Sequence, residues 1–256
     1  PTGDTLHEDT INGYLMSMDE NIEIFAKKVK EDPNLKNGFH AVGMSQGNNV
    51  IRGYIALYND PPVHTFISIN GVNAGVSAVP YCIPSLEKIE AEAPPLHNKI
   101  CDALMEVASR RAYSDFAQSK SFQANYWRDP RPVEKENYMK YSQLAKLGNE
   151  RPREAERNYQ LNENFLKTQQ CVFDPATEDS IVRPKEGEQF GCPNPNAEDP
   201  FTDILPMREC EWYKKDLFGL KSADEQKKIH FEEFKGNHLQ FEISDLDRWV
   251  MKYILE

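Results

Sequence analysis

The chain has 256 residues and a formal charge of −11, from 30 basic and 41 acidic side chains. An acidic surface repels phosphate backbones and anionic bilayers, which excludes nucleic acid as a partner and leaves no electrostatic pull onto a charged membrane. Hydrophobic residues make up 39%, under the ~45–50% of ordinary globular chains, yet the 11% aromatic content is too high for a disordered one, so long polar loops around a real core are expected. No stretch approaches the ~18 consecutive apolar residues of a membrane span.

The chain opens in polar sequence, Pro1-Thr2-Gly3-Asp4, without an initiator Met, and reads as cut at its N-terminus. Met18, Ile22, Phe25 and Val29 lie at helical spacing and predict a helix over 15–30, stopped by Asp32-Pro33-Asn34. A short strand over 39–43 and a helix over 47–57 follow, the helix ending at Asn59-Asp60-Pro61-Pro62. Residues 64–70 read as a second strand, followed by the loop Gly71-Val72-Asn73-Ala74-Gly75. Residues 77–167 carry no strand signal. They offer helix candidates at 98–109, 113–122 and 153–167, separated by the turn-rich Trp127–Pro132 segment, and this block predicts a helical cap over about 77–168. Strand character returns at 169–173 and 229–234. An amphipathic helix over 244–255 closes the chain, with Ser244 as its N-cap and Asp247 three residues on. Strands alternating with helices predict one α/β domain over 1–256: a mostly parallel sheet covered on both faces. Four strands are few for this length, which again points to sequence missing upstream.

Of the five cysteines, Cys82 and Cys101 bracket one irregular loop, and Cys192 and Cys210 bracket another. Cysteines placed this way predict two disulfides in an oxidising compartment, with Cys171, inside an apolar run, as a buried free thiol. No Cys-x-x-Cys pair or His/Cys cluster has metal spacing, so neither a metal nor a cofactor is expected. The sequence has no Asn-x-Ser/Thr acceptor site.

The chemistry is carried by Gly43-Met44-Ser45-Gln46-Gly47, a Gly-x-Ser-x-Gly motif with a strand before it and a helix after it. This matches the nucleophile elbow expected of an α/β-hydrolase fold. A sharp strand-to-helix turn lifts the serine hydroxyl above the sheet, and both glycines are expected to avoid collisions with neighbouring elements. The turn also points the Gln46 backbone N–H at the space where an oxyanion would form. The partners should follow in the order acid, then histidine. Of six histidines, His7 precedes the serine, and His40 lies in the strand leading to it, with its side chain expected between the sheet layers. His64 comes too early, and His97 and His230 fall in or beside regular structure. His238 follows a strand and Lys235-Gly236-Asn237, where loops carry chemistry in open α/β sheets, and is the expected base. The acid should follow the 169–173 strand, where Asp174, Glu178 and Asp179 all qualify.

Dispersed motifs in a fixed order add to the elbow. They include Asp32-Pro33, Ile67-Ser68-Ile69, Tyr126-Trp127-Arg128-Asp129-Pro130, Asp179-Ser180-Ile181-Val182, Phe190-Gly191, Gly219-Leu220-Lys221 and Gly236-Asn237-His238-Leu239. With these the chain resembles the palmitoyl-protein thioesterases, lysosomal α/β-hydrolases with a helical cap. The resemblance implies Asp179 as the acid, Ser45 as nucleophile, His238 as base and the Gln46 amide as an oxyanion donor. It also matches Cys82–Cys101 to a disulfide at the start of the cap. In the family a strand with a His-Gly loop supplies the second oxyanion amide, and that segment would lie upstream of Pro1. The family's Gln- and His-bearing loop is replaced here by Gly71–Gly75.

The implied activity is removal of long-chain acyl groups, palmitoyl above all, from cysteine thioesters. Its partners would be S-acylated proteins or fatty acyl thioesters, and its location lysosomal or secreted. An oxygen-ester lipase of the same fold and a non-catalytic acyl- or protein-binding relative are the alternatives. Phe116, Phe122, Tyr126 and Trp127 are candidates for the acyl groove.

Overall fold

The computed structural model describes residues 2–80, 95–131, 135–151 and 158–255. It begins with α1 (Leu6–Leu15), α2 (Met18–Glu31), β1 (Phe39–Met44), α3 (Gly47–Leu57) and β2 (Val63–Ile69). A helical block follows: α4 (Pro95–Ala112), α5 (Asp115–Lys120), α6 (Phe122–Asn125), α7 (Lys135–Tyr141), α8 (Gln143–Leu147) and α9 (Gln160–Lys167). Then come β3 (Gln170–Asp174), a 3-10 turn (Lys185–Gln189), β4 (Cys192–Pro193), β5 (Ile204–Leu205), α10 (Glu211–Lys214), α11 (Leu220–Glu225), β6 (Ile229–Phe231) and α12 (Ile243–Val250), which runs into a π-helical turn (Met251–Leu255).

β1, β2, β3 and β6 form one parallel sheet in that order. Parallel neighbours need long crossovers, and the intervening helices provide them. Side chains alternate across the sheet. Phe66, Cys171 and Phe173 enter the core beneath α2, α3 and α9, while Ile67, Ile69 and Val172 pack under Trp249 and Tyr253 on the other face. This two-sided burial explains why β2 is an almost unbroken apolar run. The edge strand β1 differs: His40, Val42 and Met44 project from it on one exposed face. His40 is exposed and therefore does not lie between layers as expected.

Several boundaries move for local reasons. The first predicted helix begins at Met18, because Ser17 caps it and Glu20 returns the bond to the Ser17 backbone N–H. That Ser-x-x-Glu box splits off α1, which has its own Thr5/Glu8 box. The last helix starts at Ile243 behind Glu242, not at Ser244, with the Asp245 carboxylate accepting the Glu242 N–H at 3.0 Å. β6 ends at Phe231, and beyond it the Ala176–Phe234 bridge keeps the two chain segments side by side.

The helical block carries its own small core, in which Met105, Tyr113, Trp127, Tyr138 and Leu144 meet. It contains three helices, α6, α7 and α8, that the periodicity did not announce; Ser142 caps α8. Of the helix expected over 153–167, α9 is the described part, and residues 152–157 lie outside it. The block is tied down by the Val76–Trp127 bridge and by Arg128, which donates to the Ala74 carbonyl and forms a two-bonded pair with Glu150 at 2.8 Å each. Cys192–Cys210 is a disulfide that closes the β4–β5 hairpin, and Cys171 is a buried free thiol. Cys82 lies outside the described residues, and with it the expected Cys82–Cys101 pairing.

Candidate active site

The turn after β1 has the geometry the motif demands. Ser45 sits at φ 50°, a left-handed conformation that is strained for a residue with a side chain. Its N–H donates to the Ile69 carbonyl at 3.0 Å, and the Asn48 carboxamide donates to the carbonyls of Ser45 and Ile69, so the strain is held from both strands. A Cβ at Gly43 would lie 2.3 Å from Asn48 Oδ1, which explains that glycine. Gly47 differs from expectation, since a Cβ there would meet open space. The Gln46 side chain donates to the Gly13 carbonyl and accepts from Gln123 and Tyr126, joining the elbow to α1 and to the helical block. Among the described residues its backbone N–H donates to no protein group.

Strand register brings the remaining residues together. Met44 pairs with Ile69, and Ile69 with Asp174, so the loops after β1, β2 and β3 leave the sheet at one level. Pairing continues into the loops through Asn70 N–H to the Asp174 carbonyl and Glu178 N–H to the Gly236 carbonyl. Two distant segments thereby place Asp179 and His238 beside Ser45. His238 Nδ1 lies 2.7 Å from Asp179 Oδ2, and His238 Nε2 lies 2.9 Å from Ser45 Oγ. A carboxylate can only accept, so Nδ1 carries the proton and donates to it, which leaves Nε2 to accept from the serine hydroxyl. Burial pushes the Asp179 carboxyl up, but the His238 ring and the amides of Val182 and Ile181 donate to it, and the net effect holds it below the usual range.

The other candidate acids fall elsewhere. Glu178 is exposed. Asp174 is fully buried, and among the described residues neither of its carboxyl oxygens has a hydrogen-bond partner. Burial first, then the Glu232 carboxylate, pushes its carboxyl up to about 8. Among the other histidines, His64 bonds the Asn37 carbonyl and the His230 ring packs at a tilt against Tyr253.

Ser45 opens into an apolar cavity of about 410 Å³. Val72 and Val182 from the sheet side and Val79, Ala108, Ala124 and Trp127 from the helical side line it. Tyr126 and Trp127 line it as expected, whereas Phe116 is 77% exposed and Phe122 is buried in the main core. The volume and apolar lining suit a small hydrophobic ligand or chain.

A sequence model of the family described as palmitoyl protein thioesterase matches residues 1–238. The chain belongs to this family. It is 33% identical to palmitoyl-protein thioesterase 1 of Caenorhabditis elegans over 251 residues, covering 98% of this chain and 77% of the relative. It is 31% identical to palmitoyl-protein thioesterase 3 of Dictyostelium discoideum over 231 residues, covering 90% of this chain and 71% of the relative. A lysosomal thioesterase of Xenopus laevis is 30% identical over 197 residues, 75% of this chain and 60% of that protein.

In this palmitoyl protein thioesterase family member, three residues that the sequence reading passed over hold the loops in place. Asn70 follows β2 and is fully buried. Glu188 sits in the 3-10 turn and is 1% exposed. Arg52 is buried between the Phe190 and Phe218 rings, 5.0 Å from each centroid, and donates to the Asn73 carbonyl. Burial lowers its guanidinium to about 10. Asn73 in turn donates to Ser68 Oγ and the Glu188 carbonyl, so the loop after β2 is pinned from below. An Asn-Gly pair at the end of a strand was the available signal for Asn70; Glu188 had none. Among the described residues no three His, Cys, Asp or Glu side chains gather as metal ligands would, and no helix is long and apolar enough to cross a membrane.

Proposed function

We propose that the chain hydrolyses long-chain acyl thioesters, with palmitoylated cysteines of proteins as its substrates, through Ser45, His238 and Asp179. The observation that carries this is the unbroken line from Asp179 Oδ2 through His238 to Ser45 Oγ, at 2.7 and 2.9 Å, at the mouth of an apolar cavity. The acyl chain occupies the cavity, which leaves the thioester carbonyl over Ser45. Oγ attacks that carbon while Nε2 takes its proton, and the Gln46 amide donates to the developing oxyanion. The C–S bond breaks, the imidazolium protonates the departing thiolate, and an acyl-serine remains. Water, deprotonated by the same nitrogen, then releases the fatty acid. Asp179 holds the tautomer and stabilises the imidazolium.

The lysosomal names among the relatives, together with the Cys192–Cys210 disulfide, support a lysosomal setting. We further propose that the helical block is the cap that confers acyl selectivity. A fluorophosphonate probe labels the wild-type protein, and Ser45→Ala abolishes both labelling and palmitoyl-thioester hydrolysis. Labelling that persists in the folded variant rejects Ser45 as the nucleophile.

A further inference from the structure

Behind Asp179 lies a second buried carboxyl group with no place in the chemistry above. One N–H of the Asn70 carboxamide donates to Asp179 Oδ2 at 3.0 Å and the other to Glu188 Oε2 at 3.1 Å. The carboxamide oxygen accepts the Leu239 backbone N–H at 2.8 Å, next door to His238. Every polar atom of the side chain is therefore engaged, and its orientation cannot flip without losing all three bonds. One carboxamide thus joins the acid loop, the histidine loop and the 3-10 turn. Oδ2 of Asp179 receives both the imidazole and this amide, so any shift of Asn70 is felt at the base.

We propose that Asn70 and Glu188 are positioning residues for the proposed reaction, Asn70 bridging the loops of Asp179 and His238 and Glu188 locking Asn70 as a neutral acid. This rests on the triad reading above. Neutrality follows from the surroundings: Glu188 is 1% exposed, the charged groups that bear on it are the carboxylates of Asp179 and Asp174, which outweigh the Asn70 donor, and no cation is paired with it among the described residues. Two adjacent carboxylates out of water cannot both ionise. Burial first, then the Asp179 charge, pushes Glu188 up to about 10, so it keeps its proton while Asp179 stays ionised for His238. If Glu188 were charged, it would compete with Asp179 for the Asn70 donors and loosen the bridge.

The test uses the full chain with a palmitoyl-thioester assay, a melting curve for each variant, and kcat/KM against pH. Asn70→Asp keeps a residue that tolerates the left-handed backbone (φ 45°) but replaces both donors with a third carboxylate. The expected result is a loss of about a hundredfold in kcat with KM little changed, as for a small misplacement of a reacting group. The acid limb of kcat/KM should also move to higher pH, because added negative charge favours the imidazolium. Glu188→Leu should lose kcat similarly, and Glu188→Gln, neutral and still able to accept from Asn70, should recover to within about tenfold of wild type, one hydrogen bond's worth. A merely structural role would lower the melting temperature and leave the pH limb in place. Folded Asn70→Asp with wild-type kcat and limb, or Glu188→Gln as slow as Glu188→Leu, overturns the proposal; if Glu188→Leu does not fold, the Asn70→Asp limb decides. Fluorophosphonate labelling of His238→Ala separates the two readings. Labelling at the wild-type rate there means the triad has failed, whereas labelling lost there with Asn70→Asp unaffected means that only the positioning inference has failed.

Discussion

At the C-terminal edge of the sheet, Ser45, Asn70, Asp179 and His238 commit their polar atoms to one another. Facing them across the cavity, the helical block presents Val79, Ala108 and Ala124, which offer only shape. The first region rests on strand ends locked by register. The second rests on a small core of its own, separate from the sheet's. Moving a proton needs atoms fixed to fractions of an ångström, and strand ends supply that rigidity. Holding an alkyl chain needs only apolar volume, since burial free energy follows area and not direction. The two regions should therefore respond differently to substitution.

The largest effect belongs to the polar side. Asp179→Asn is expected to keep the fold by circular dichroism but to lose about 10⁴ in kcat, because the amide can donate to Nδ1 and stabilise the wrong tautomer. A near-wild-type rate in this variant, with Asp174→Asn crippled instead, would reverse the assignment of the acid. A smaller and more selective effect belongs to the apolar side. Ala124→Phe places a ring in the cavity and should cut kcat/KM for a palmitoyl thioester by about tenfold or more, with little change for a butyryl thioester. Equal losses on both chain lengths would show that the cavity does not hold the acyl chain.

The smallest effect concerns Asp174, five residues from Asp179 and its opposite in environment. Asp179 receives donors and ionises; Asp174 receives none among the described residues, and its carboxyl is raised to about 8 from an ordinary 3.8. The folded chain then holds more protons than the unfolded one, so this contribution is full below about pH 4 and is lost as pH rises through about 8. Asp174→Asn mimics the protonated form. It should leave the melting temperature unchanged near pH 4 and raise it by a few degrees near pH 8, with far less effect on kcat than Asp179→Asn. A variant no more stable than wild type at the higher pH would show that the buried carboxyl has a partner in solution.

The elbow, the four strands and the closing helix were legible because each is written in contiguous residues: a glycine-flanked serine, β-branched runs bounded by turns, and apolar spacing. The helical block was read less well. Its helices α6, α7 and α8 are at most two turns long, too short for periodicity to register, and they persist because Ser121 and Ser142 cap α6 and α8 and the local core holds them. Residue spacing left Asp174, Glu178 and Asp179 as equal candidates, and the likeness to the thioesterases chose Asp179. Strand register then places it 2.7 Å from His238.

The α/β alternation, the serine in a strand-to-helix turn, the histidine in the last loop before the closing helix and the likeness to a thioesterase family are all written in the order of the residues. What the aromatic residues do and what stands behind the acid follow from tertiary contacts alone: Tyr126 and Trp127 face the cavity, and Asn70 and Glu188 back Asp179. The reason is range. A turn, a cap or a strand is settled by forces between residues a few positions apart. The bridge from Asn70 to Asp179 and Glu188 spans 109 and 118 positions. It exists only because β2 and β3 pair in one register and thereby fix where those side chains meet.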